Sequence, residues 1–289
     1  MAEHEGVGTR KPGLGFENPW RTRSCQSLSS SCAWSAKLRS IGNRPSQEPV
    51  LSAAFIRKLE QYDHLSNSER EVLERAVVRQ RAIGKGEELV REGDRPSESI
   101  FLITGFAARY NVLRNGKRQI TALHVPGDFV DLHSFLVKVM DHAVMAVTPC
   151  TIGMVPHEAL REITETHPHL TRLLGVSIAV DAAIHRQWLV SMGRRSALEH
   201  TAHLLCELLL RLRAVGLTTD DSFQLPLTQA ELGDTLGLST VHVNRVIQEL
   251  RKEEVITWHG DTVVIKDWPR LQGIAEFDPT FLSLKAEPR

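Results

Sequence analysis

The residues with the most chemical potential lie between positions 225 and 256, in LPLTQAELGDTLGLSTVHVNRVIQELRKEEVI. Arg, Asn and Gln side chains can make paired hydrogen bonds to base edges, and Thr or Val can touch a thymine methyl. Here Thr240, Val241, His242, Asn244, Arg245 and Gln248 fall on one side of a helical repeat, while Val243, Val246, Ile247 and Leu250 fall on the other. Ser239 stands where it would cap that helix. Thr228, with Glu231 three residues on, forms a reciprocal capping box for a preceding helix that opens at Gln229. Gly237 permits the tight turn between the two. Two short helices, a Gly turn and an outward row of base-competent side chains predict a helix-turn-helix that enters a major groove. The same helical pattern also occurs in plain bundles. The exposed Arg245 and Asn244, and the strand pair predicted around His259-Gly260-Asp261 as a wing, favour the nucleic-acid reading.

A second group is His124, His133 and His142, spaced by nine, with Asp131 nearby. Imidazoles can ligate a metal or haem or titrate near neutrality, but regular spacing along strands does not establish convergence. The expectation is therefore ordinary hydrogen-bonded or solvated histidines, with no metal and no cofactor. A cupin-like metalloenzyme is disfavoured because no His-x-His pair with a following carboxylate occurs. No nucleophile and base pair, Gly-rich phosphate loop or paired carboxylates stand out, so no enzymatic activity is expected.

These groups need elements to hold them. The chain has 289 residues, 42% of them hydrophobic, which is enough for roughly two cores. Its formal charge is zero, so DNA affinity must come from local Lys and Arg clusters. Cys25, Cys32, Cys150 and Cys206 lack the dense spacing of a disulfide framework, no uninterrupted apolar run of about eighteen residues suggests a membrane span, and no secretory signal is visible. A cytoplasmic location is expected.

Residues 1–49 are rich in Gly, Ser, Pro and Arg without periodicity, and read either as a disordered extension or as a start placed too early. A sensory unit spans 50–166. It opens with helices, including one capped by Ser66 with Glu69, and continues from Arg79 to about Pro156 as short β runs broken by turns. Asn115-Gly116 predicts a type I′ hairpin. Many short strands imply a β-roll. Residues 167–193 form a long helix that begins at Pro168 and is apolar on more than one face, which suits a roll on one side and a second copy of the chain on the other in a parallel coiled coil. The alternative is a core helix of a monomer. Residues 194–275 make the winged helix-turn-helix, opening with a helix striped by Leu198, Ala202, Leu205, Leu208 and Leu212, and 276–289 read as a tail. The fold class is α+β.

In this order of parts the chain resembles the catabolite activator and fumarate-nitrate regulator (Crp/Fnr) family over roughly residues 55 to 275. The resemblance is carried by EGDRPSESIFLITGFAARYNVLRNGKRQITALHVPGDFVDL and, more specifically, by LTQAELGDTLGLSTVHVNRVIQELRKEEVI. It implies a homodimeric transcription regulator that binds a palindromic operator on double-stranded DNA, engages RNA polymerase and answers to a small-molecule effector. It puts Ser239, Thr240, Val241, Asn244 and Arg245 at the operator and Thr228 and Gln229 at phosphates. Val241 stands where much of the family carries a glutamate, so the usual operator does not follow. The family's cyclic-nucleotide site uses an arginine, a serine and a glutamate after the Pro-Gly-Asp turn. Here Leu132 falls at the glutamate and His142-Ala143 at the arginine and serine, and a two-residue shift brings Met140-Asp141 there instead. Neither register restores the arginine, so cyclic AMP is not expected, and Asp131, Leu132, His133 and His142 are the effector-pocket candidates. The iron-sulfur branch needs clustered N-terminal cysteines, and Cys25 and Cys32 alone do not supply four thiolates. A ligand-sensing module acting through protein contacts is the remaining alternative.

Overall fold

Strand-forming runs separated by Gly and Asp turns from Arg79 onward build two antiparallel sheets in the computed structural model, which describes residues 53–289. The reading of residues 1–49, with Cys25 and Cys32, lies outside them. Two helices come first, α1 (Ala53–Glu60) and α2 (Asn67–Ala76). The Ser66 hydroxyl accepts from Glu69 N and the Glu69 carboxylate accepts from Ser66 N, completing the expected capping box. The strands are β1 (Arg79–Ile83), β2 (Glu88–Val90), β3 (Glu98–Thr104), β4 (Ala107–Val112) and β5 (Arg118–His124). After a short α3 (Ser134–Val137) come β6 (Ala143–Ala146) and β7 (Cys150–Pro156).

One sheet has the order β1-β7-β3 and the other β2-β6-β4-β5. Their facing residues, among them Ile83, Val90, Leu102, Ala107, Val144 and Ile152, make a buried roll core that also takes in Cys150. The β4–β5 hairpin lies where Asn115-Gly116 predicts it, but its turn is not type I′. That type needs positive φ at both central residues, whereas here only Gly116 has it (φ 79°). Leu113 N donates to Lys117 O and Gly116 N to Leu113 O, so three residues span the gap and Gly alone supplies the left-handed step.

Helices follow, α4 (His157–Thr166), α5 (Pro168–Arg194) and α6 (Ala197–Ala214), with Pro168 at the start of α5 as expected. By length and composition α5 is long and apolar enough to cross a membrane, with 28% of the relevant window buried. The expected apolar stripe of α6 is instead burial on nearly every side: His200 through Leu209 are all buried. The helix packs against α5, β8 (Ser222–Gln224), α7 (Gln229–Leu236), α8 (Thr240–Lys252) and α9 (Trp268–Ala275), and the wing β9 (Ile256–His259) and β10 (Thr262–Ile265) lies between α8 and α9 in the chain. The wing pairs as expected around Gly260, and β8 adds a third strand, giving the order β8-β10-β9.

Residues 276–289 pack more closely than a tail. Phe277 and Leu282 are buried, and Phe281 stacks on His203 at 5.8 Å. The segment then runs back to the first helices, where Glu287 N donates to Tyr62 O (3.0 Å) and Arg289 N to Asp63 Oδ2 (2.7 Å).

Candidate nucleic-acid interface

Local chemistry presents the α7–α8 pair. The Thr228 hydroxyl accepts from Glu231 N and the Glu231 carboxylate accepts from Thr228 N at 2.7 Å, so the first orphan N–H groups of α7 are satisfied. Ser239 caps α8 by accepting from His242 N. Between them Gly237 sits at φ 69°. Gly233 lies so close to the turn that an added Cβ would stand 2.6 Å from Leu238 O. Val243, Val246 and Leu250 are buried, holding α8 on the core.

The opposite face of α8 is open. Thr240, Val241, Asn244, Arg245 and Gln248 are exposed, with Val241 78% accessible, a large apolar residue facing water at the helix start. His242, expected to point outward, is half-buried. Arg245 makes no hydrogen bond or ion pair with other described residues, so its guanidinium fork is free. Asn244 and Gln229 form a reciprocal pair, each amide N donating to the other's oxygen at 2.7 Å, which ties the recognition face to the first turn of α7. Side chains expected at bases and at phosphates are thus joined before any ligand arrives.

The reading face also rests on the roll. Arg118 on β5 pairs with Asp234 on α7 at 2.8 Å, and the Gln119 side chain donates to Asp234 O at 2.7 Å. Deeper, Arg211 on α6 donates to Glu207 (2.8 Å), to Asp128 of the Pro-Gly-Asp turn (2.8 Å) and to Leu123 O (2.8 Å). Lys58 from α1 pairs with the other Asp128 oxygen, and the Trp188 indole of α5 donates to Glu207 at 2.8 Å. The two cations hold the Asp128 carboxyl far below the usual range, while burial raises that of Glu207.

The effector-pocket candidates do not converge on one point. A cavity between roll and helices is lined by Leu132 and His133 together with Arg109, His124, Asp181 and Ile184. Asp131 is fully buried elsewhere. Its Oδ1 accepts from Ile100 N at 2.6 Å, Oδ2 has no partner, and burial raises its carboxyl to about 7. His133 and His142 do meet, with ring centroids 5.1 Å apart, and His124 is not in that group. Arg109 was not singled out in the sequence. It is buried on β4 and donates to Asp181 Oδ2 (3.1 Å) and His185 Nε2 (3.0 Å) of α5. Its signal was indirect: Asp181 is the sole acid of the 27-residue α5, and a lone acid among apolar residues invites a buried cation.

The model of the cyclic nucleotide-binding domain matches residues 80–167, and that of the Crp-like helix-turn-helix domain matches residues 201–274. The transcriptional activator protein FnrL of Cereibacter sphaeroides is 30% identical over 197 residues, covering 66% of this chain and 78% of that protein. The chain belongs to the Crp/Fnr family. A further relative is the transcriptional activator protein anr of Pseudomonas aeruginosa, 29% identical over 212 residues, covering 73% of this chain and 86% of anr. The fold matches the structure of FixK2 from Bradyrhizobium japonicum at TM-score 0.62 and 24% identity, over 68% of this chain and 96% of FixK2. As a Crp/Fnr regulator the chain binds DNA through its helix-turn-helix, and the order of β-roll, long helix and winged helix-turn-helix matches the resemblance read from the sequence.

Proposed function

We propose that this Crp/Fnr protein binds a palindromic operator as a homodimer in the cytoplasm, with Ser239, Thr240, Val241, His242, Asn244, Arg245 and Gln248 at the operator and Thr228 and Gln229 at phosphates. The observation that carries the reading is the unpaired, exposed Arg245 on a capped helix whose opposite face is locked into the core. Residues 50–166 act as the sensory unit, 167–193 as the dimer helix and 194–275 as the reading unit.

The dimer is supported by the uncovered side of α5. Arg172, Gly175, Ala179, Arg186 and Leu189 are exposed at spacings of three, four, seven and three residues, with Leu189 72% and Val190 47% accessible. A second α5 laid along this stripe would cover it and set paired recognition helices across a two-fold axis. An effector would enter the cavity beside Arg109 and α5 and shift the population of reading-competent dimers. Engagement of RNA polymerase is supported by the names of the relatives, which are transcriptional activators.

The test is selection of bound duplexes from randomised DNA by the full chain and by Arg245→Ala, at two salt concentrations. A palindrome with half-sites one turn apart should emerge. Arg245→Ala should lose about 1–3 kcal/mol and relax one base position. Sequence-blind binding, unchanged by Arg245→Ala, would replace this reading with a module acting through protein contacts.

A further inference from the structure

Beyond the DNA-reading face, His133, Asp141 and His142 each offer a ligand atom, all within 4.8 Å of one another. His133 precedes α3, and Asp141 and His142 precede β6, so two segments remote from the recognition helix meet here. His142 is 6% exposed. Its Nδ1 is 2.7 Å from Asp141 Oδ1. A carboxylate there holds the proton on Nδ1 and leaves a lone pair on Nε2. That Nε2 is buried and has no hydrogen-bond partner, and the same holds for Nε2 of His133. Two neighbouring imidazole nitrogens without donors are costly to bury, and a metal ion is the partner that accepts both lone pairs at once.

We propose that His133, His142 and Asp141 form a site for a divalent first-row transition metal of the zinc class. Imidazole and carboxylate donors suit zinc and its neighbours rather than calcium or magnesium, which prefer all-oxygen shells. Metal bonds of about 2.0–2.1 Å place tetrahedral ligands about 3.4 Å apart, so the group must close by roughly an ångström. The Asp141 side chain is 86% exposed, and on giving up its hydrogen bond to His142 Nδ1 its carboxylate can swing towards the ion. Three protein ligands leave a fourth position for water or a small molecule, as in sites that exchange ligands. The neighbouring positive charge is already answered, because Arg109 is paired with Asp181 at 3.1 Å. A bound ion would stand next to that link between β4 and α5.

The experiment titrates zinc alone, and separately cobalt alone, into the chelator-stripped full chain, with calorimetry and visible absorption. One equivalent per chain is expected, with cobalt bands lacking thiolate charge transfer. His133→Gln and His142→Gln should each weaken binding at least tenfold, and His124→Gln should leave it unchanged. Asp141→Asn alters only an exposed side chain, so it tests the site without threatening the fold, and it should weaken binding about 10–100-fold. Failure to bind zinc, thiolate-type cobalt spectra, or binding that survives both His133→Gln and Asp141→Asn would overturn the site, whatever the DNA selection shows.

Discussion

Replacing Arg211 by Met keeps most of the apolar stem and removes the cation that joins α6 to the roll. Arg211 donates hydrogen bonds to Glu207, Asp128 and Leu123 O at 2.8 Å each. Breaking a buried pair by deleting one partner costs about 3–5 kcal/mol, because the other charge stays buried. Asp128 keeps Lys58 and the N–H of Val125, so its share of the loss is moderate. Glu207 is fully buried and keeps only the Trp188 indole. Its carboxyl, already raised by burial, then takes up a proton, which caps the penalty. The expected loss is about 3–4 kcal/mol in urea unfolding at pH 7.5 and fixed protein concentration, followed by Trp fluorescence. Glu207→Gln in the Arg211→Met background should recover at least about 1 kcal/mol relative to additivity, since a neutral amide avoids the cost of protonating a buried carboxylate at pH 7.5. The sign with pH also follows. In Arg211→Met an acid whose folded pKa lies above its unfolded value of 4.5 makes the protein lose stability as pH rises from that value. A loss under about 1 kcal/mol, or strict additivity with Glu207→Gln, would refute the view that Arg211 is the keystone of this network.

Other outcomes follow from the same geometry. Gly233→Ala places a Cβ 2.6 Å from Leu238 O, so the helix-turn-helix must shift, and a loss of about 1–3 kcal/mol should show in thermal unfolding. Burial lowers His200 and His203 to about 4 from 6.5; the unfolded chain takes up these protons first, so stability should decline as pH falls from 6.5 towards 4, and His200→Gln should flatten that slope in pH-dependent urea titrations. Leu189→Glu on the open stripe of α5 should raise the dimer dissociation constant at least tenfold in sedimentation while leaving circular dichroism unchanged. Gln229→Ala releases Asn244 from its amide partner and removes a proposed phosphate contact, so DNA affinity should weaken while the salt dependence stays unchanged, because Gln229 carries no charge to displace counterions.

The reading face was legible because its determinants are local. Thr228, Glu231, Ser239 and Gly237 act within a few residues of themselves, and the 3.6-residue repeat of Val243, Val246 and Leu250 fixes which face is left out. The strands of the roll were legible for the same reason. The Asn115-Gly116 turn type was not, since it depends on where the β4–β5 register closes. Nor were the reach of Arg109 to Asp181 and of Arg211 to Asp128, which lie tens of residues apart, or the meeting of His133 with His142, nine residues apart across a loop; packing decides all three. His242 is half-buried where periodicity alone points it outward, because a position on a helix edge is exposed or covered according to its neighbours, which periodicity does not contain.

The return of the C-terminal segment to Tyr62 and Asp63 makes the described part of this chain a closed ring in space, Arg289 hydrogen-bonded just after α1. A peptide fused directly after Arg289 would emerge at α1, on the side of the molecule that carries Lys58 and the Asp128 turn, and far in sequence from the recognition helix. A label for detection or immobilisation placed there therefore reports on, and can load, the hub where roll, long helix and reading unit are tied. A short bridge from Arg289 to Ala53, in a variant starting at Ala53, would make the ring covalent, and the exposed loop at Asn115-Gly116 then becomes the natural place to open it.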